Sequence, residues 1–143
     1  MKTRISVIVA CWFALVLSEV SVPAQTEYRL IMHTFQEGSN IVFVAVSESP
    51  TGPRGLVRGP NYSRRELAFT VSGAEFDKMW ATVMSTEAKK YAGGSNPNRI
   101  SECVTNYVFS VGYVGRSTNY AIPTVKASPA IVALATQFRA YAK

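Results

Sequence analysis

Six consecutive apolar residues, Ile41 to Val46, constrain the fold of this chain more than any other feature. Ile41, Val42, Val44 and Val46 are β-branched, which favours extended backbone. A strand shows its side chains alternately to two faces, so an unbroken apolar run fits a central strand covered on both. Such a strand needs neighbours. Residues 27–35 supply one, and Glu37-Gly38-Ser39-Asn40 is a turn cluster between the two. The pairing expected is a hairpin of 27–35 with 41–47.

A third strand is expected at 66–72, with Leu67, Phe69 and Val71 on one face and Ala68 and Thr70 on the other. It runs into a helix. Ser72 is the N-cap and Glu75, three residues on, completes a capping box, with Val71 and Phe76 at the staple positions. Phe76, Met79, Trp80, Val83, Met84 and Tyr91 recur at helical spacing as one apolar stripe, and Gly93-Gly94 stops the helix. Residues 95–102 are polar and loop-like. Residues 103–114 are expected as a long strand, with Cys103, Thr105, Tyr107, Phe109, Val111 and Tyr113 on one face. Gly115 to Thr118 turns the chain into a return strand, Asn119 to Thr124, which Pro123 places at a sheet edge. Ser128-Pro129 opens a C-terminal helix striped by Ile131, Leu134, Ala135 and Phe138, with Arg139 and Lys143 suited to its dipole.

Two amphipathic helices need an apolar sheet face to bury against. The fold expected is α+β, an antiparallel sheet of about five strands with both helices packed on one face. The element order resembles that of small secreted inhibitor domains such as emfourin, with no shared motif. The 143 residues contain 48% hydrophobic and 17% charged side chains, which excludes a disordered chain.

Residues 1–24 read as a cleaved signal peptide, leaving 25–143 as one domain. Lys2 and Arg4 precede an apolar or small-residue stretch from Ile5 to Leu17, shorter than the roughly 20 residues that span a bilayer. Val22-Pro23-Ala24 then offers a cut before Gln25. Ile8-Val9-Ala10-Cys11 loosely resembles a lipobox, but cutting there would bisect the apolar stretch. The expectation is an exported, periplasmic or extracellular protein of bacterial type. Removal takes away Lys2, Arg4 and Glu19, so a formal charge of +6 becomes +5, and Cys11 leaves too. Cys103 then has no partner for an internal disulfide.

Residues 47–65 are the most unusual segment. Arg54, Arg58, Arg64 and Arg65 stand against one acid, Glu48, and prolines and glycines keep the segment irregular. Guanidinium groups bind carboxylate and phosphate in a bidentate manner, and Tyr62 adds a ring for stacking. The expectation is a loop that docks on an anionic partner through Arg54, Arg58, Tyr62, Arg64 and Arg65. A mobile, solvated crossover is the plainer reading of the same residues. Asn61-Tyr62-Ser63 matches a glycosylation sequon, which has no meaning in a bacterial protein.

Cys103 and His33 are the one pair that could form a thiol–imidazole nucleophile. A lone cysteine is more often a small buried hydrophobe. The acids are scattered, and no metal-ligand spacing, phosphate-binding glycine loop or cofactor motif is present. Three functions follow as expectations. The first is a non-catalytic exported protein that binds a macromolecule as inhibitor, immunity-type protein or envelope accessory factor. The second is a structural envelope protein held by its basic face to anionic polymer or lipid. The third is an enzyme using Cys103 and His33. Export sets nucleic acid aside as a partner.

Overall fold

A computed structural model describes residues 28–59, 67–93 and 100–143. The leader and cut site at 1–24, the sequon and Gly94 lie outside the described residues. Six antiparallel strands form one sheet in the order β4-β3-β2-β1-β5-β6. They are β1 Leu30–Glu37, β2 Asn40–Ser47, β3 Arg54–Arg58, β4 Leu67–Thr70, β5 Asn106–Tyr113 and β6 Arg116–Pro123. The helices are α1 Gly73–Val83, α2 Thr86–Lys89, α3 Ile100–Thr105 and α4 Pro129–Ala140. The architecture is the α+β one expected, with β3 added to the strands legible in the sequence.

The expected hairpin forms in full register, from Leu30 opposite Ser47 to Glu37 opposite Asn40. Gly38, at φ 61°, turns it, as a two-residue hairpin requires. The β5–β6 turn is tighter than expected. Val114 and Gly115 take φ 50° and 70°, so β6 begins already at Arg116. A left-handed β-branched residue there is strained. Proline 123 does end an edge strand.

One face of the sheet carries the core. Ile31, His33 and Phe35 of β1 share it with Val42, Val44 and Val46 of β2 and with Phe109 and Val111 of β5. Phe76, Met79 and Val83 of α1 and Ile131, Leu134, Ala135 and Phe138 of α4 complete this layer. Ser128 caps α4 by accepting from Ile131 N at 3.4 Å, and its own N–H donates to Glu87 Oε1 at 2.9 Å.

Three local expectations change. Ser72 accepts from Glu75 N at 3.1 Å, but the Glu75 carboxylate does not return to the cap. It instead accepts from Gln137 Nε2 and from Tyr141 Oη, joining α1 to α4. The long first helix breaks after Val83, because Ser85 captures Ala88 N at 3.3 Å and caps a new helix, α2. Gly93, at φ 89°, then donates to Asn119 O at 2.8 Å and lays the chain against β6. Cys103 lies on helix α3, not on a strand, and the strand starts at Asn106, whose Nδ2 donates to Glu102 O at 3.1 Å.

The outer pair β3–β4 is held by an aromatic ring lying over a glycine. Gly55 pairs with Phe69, and a Cβ on Gly55 would sit 2.0 Å from the ring. That ring stacks on Tyr141 with centroids 4.2 Å apart. Gly55→Ala is expected to displace Phe69 from Tyr141 and to cost about 1–3 kcal/mol, as overpacking does. Urea unfolding measures this. An unchanged midpoint would show that the ring has free space to move into.

Candidate functional site

Residues 47–65 are not one irregular loop. Ser49 and Gly52 close a turn, with Gly52 N donating to Ser49 O at 3.0 Å and Ser49 Oγ donating to Gly52 O at 2.6 Å. The chain then pairs with β2 as β3, from Ser47 opposite Arg54 to Phe43 opposite Arg58. Arg54 and Arg58 are therefore exposed ends of a strand, both on the face opposite Gly55 and Val57. Arg54 Nη2 donates to Thr51 Oγ1 at 3.0 Å. Tyr62, Arg64 and Arg65 lie outside the described residues.

Glu48, the one acid of the segment, pairs with Arg29. Its carboxylate accepts from the guanidinium and backbone N–H of Arg29, the latter at 2.9 Å. The Arg29 guanidinium holds the Glu48 carboxyl below the usual carboxylate range. Arg29 also pairs with Asp77 at 2.8 Å and sits 5.0 Å from the Phe76 ring centre and 5.4 Å from that of Trp80. Trp80 is consequently half-buried under a cation rather than sealed in the core. Among the described residues, both ion pairs belong to Arg29.

The face bearing Arg54 and Arg58 is the second face of the sheet, away from α1 and α4. Its central row runs Ala68, Leu56, Ala45, Met32, Ser110, Asn119 across all six strands. The next rows add Leu30 and Ser47 beside Arg54, and Phe43 beside Arg58. Among the described residues, no strand residue on this face is acidic. Thr34 and Val108 are buried, at the end where α3 lies against β1 and β5. Further out, Met32, Phe43, Ala45 and Leu56 are half-buried and Leu30 is exposed. The apolar run of β2 predicts cover on both faces, yet only the helix side is closed in this way. Sequence reasoning missed this surface because β3 was hidden among Pro53, Gly55, Gly59 and Pro60.

Cys103 and His33 do not form a nucleophilic pair. His33 is fully buried, and Val108 O, 2.9 Å from Nδ1, accepts its proton. That leaves Nε2 as an acceptor, and Arg139 Nε donates to it at 3.3 Å. Both ring nitrogens are committed elsewhere. Burial, reinforced by the Arg139 charge and opposed by the Val108 carbonyl, pulls the imidazole down to about 3. Burial likewise pushes the Cys103 thiol up, away from thiolate. Among the described residues, no three metal-binding side chains come together, and no helix is long and apolar enough to cross a membrane.

The buried imidazole makes stability depend on pH. An unfolded histidine protonates near 6.5 and the folded one near 3, so between these values the unfolded state binds the extra proton. Stability is full above about 6.5 and falls as pH drops through that window. Urea unfolding at pH 5 should give a free energy about 2 kcal/mol below that at pH 7. A flat profile over this range would show that His33 is solvated in the native state.

In comparisons with known proteins, the chain matches no family model, and no characterised protein or solved structure shows significant similarity to it.

Proposed function

We propose that this chain is an exported, non-catalytic binding protein, and that it docks on an acidic protein surface through the open face of its sheet. One observation carries the reading. Strand β2 is apolar on both sides, but its second side, with Met32, Leu56 and Leu30, stays partly open beside Arg54 and Arg58. Solvated faces of antiparallel sheets are ordinarily polar. Apolar surface rimmed by polar groups marks interaction sites. The charge selects the occupant. The exposed guanidinium of Arg54 at the edge of that apolar surface favours a partner that brings acids around apolar side chains. A second copy of this chain would set arginines near arginines. The leader-like residues 1–24 support an encounter outside the cytoplasm, and Arg64 and Arg65 extend the basic character in sequence, with the Tyr62 ring beside them.

An anionic envelope polymer would engage the same arginines but would not need the apolar centre. Leu56→Gln, which removes apolar surface without adding charge beside Arg54, separates the two. Leu56 is half-buried on the open face, so this change should cost under about 1 kcal/mol, whereas Val57→Asp, on the core face, should prevent folding. The wild-type chain, immobilised as bait on the exported fraction of producing cells, should retain a partner. Bait carrying Leu56→Gln, with its melting temperature preserved, should lose it. Bait carrying Val132→Asp on the exposed side of α4 should keep it. Retention that survives Leu56→Gln and vanishes in about 1 M salt, where screening acts over roughly 3 Å, would indicate a polymer held by charge alone. Failure of the wild-type bait to retain any component would contradict the proposal.

A further inference from the structure

Arg139 occupies a different end of the molecule, in the last turn of α4. Its guanidinium carbon lies 5.3 Å from the Phe35 ring centre and 5.5 Å from that of Tyr107, so two rings flank it. Its Nε is engaged by His33 Nε2 at 3.3 Å. An imidazole in its neutral form lends no counter-charge. Among the described residues, no carboxylate pairs with Arg139. The terminal nitrogens therefore remain as a fixed planar fork of donors. A half-buried cation without a counter-ion is costly unless something supplies one.

Two clefts, each of about 410 Å³, open beside this group. The one between the β1 end and the α4 end is the more apolar, with Phe35, Ala140 and Ala142 in its wall. Lys143 adds a second cationic side chain there, and Glu37 is the one acidic side chain in the wall. The pairing of a rigid guanidinium with an apolar wall selects one chemistry. A carboxylate fits the fork in a bidentate manner, and an aliphatic body fits the wall. We propose that this cleft binds a carboxylate carrying a short apolar body, with Arg139 as the anchor. Two sources share that chemistry, a free monocarboxylic acid and the C-terminal residue of a polypeptide. The cleft lies on the helix side of the sheet, apart from the open face, and does not depend on how that face is used.

Nuclear magnetic resonance titration of the full chain with hexanoate and hexanamide tests the site. The amide has the same apolar body and no charge. Hexanoate should shift the Arg139 Nε–H and the Ala140 and Ala142 amide signals saturably, and hexanamide should bind at least about tenfold more weakly. A short peptide ending in leucine with a free carboxylate, set against its amidated form, separates the sources. Tighter binding of the free-ended peptide than of hexanoate assigns the cleft to polypeptide termini, and the reverse assigns it to free acids. Arg139→Lys would also disturb His33, so the deciding variant is Ala140→Phe. Ala140 is exposed on the cleft wall, and its substitution should keep the melting temperature while weakening hexanoate about tenfold. Equal binding of acid and amide, absence of saturable shifts, or unchanged affinity in Ala140→Phe would each overturn the proposal.

Discussion

A neutral imidazole at the centre of the core sets how the helix layer sits on the sheet. His33 stacks on Phe109 at 4.6 Å and on Phe35 at 5.4 Å, and Phe138 meets it edge-on at 6.2 Å. Those contacts join β1, β5 and α4 at one point. Its two nitrogens add direction that apolar packing lacks, because one must face the Val108 carbonyl and the other a donor from α4. A buried polar group left unpaired would cost about 1–3 kcal/mol, so α4 is held where Arg139 can reach. Rotating α4 by one residue would bury the imidazole without its donor.

The placement of α4 has consequences on both sides of the sheet. It brings Phe69, Tyr141, Glu75 and Gln137 together, so the outer pair β3–β4 is tied to both long helices. It also spends both helices on one face. Strand β2 has apolar side chains for two layers, and its second layer remains partly open. The charges follow the same division. Arg29 takes up Glu48 and Asp77 on the helix side, while Arg54 and Arg58 stand on the other.

Local signals made much of this legible. The Ser72 and Ser128 caps, the β1–β2 turn at Gly38 and the stripes of α1 and α4 all rest on spacing within a few residues, and all form. What was not legible depends on distant partners. Strand β3 is five residues long, and only its pairing with β2 and the fit of Phe69 over Gly55 reveal it. The stretch containing Cys103, Val104 and Thr105 alternates like a strand, yet it forms a helical turn closed by Asn106. Glu75 has the right spacing for a reciprocal cap, but Gln137 and Tyr141, from α4 and the residue after it, compete for it successfully. The site at Arg139 joins residues 106 apart, so its helix-end position in the sequence explains its charge but not its partner.

The protonation of His33 is the most direct test, because the placement of α4 and the uncompensated charge of Arg139 both rest on it. Nitrogen-15 chemical shifts of the imidazole report tautomer and charge separately. The structure requires the Nδ1–H form, unprotonated at Nε2, from pH 7 down to pH 5 in the folded protein. A titration centred near 6.5, or a proton on Nε2 at neutral pH, would mean that Arg139 is not its donor and that the helix layer is held in some other way.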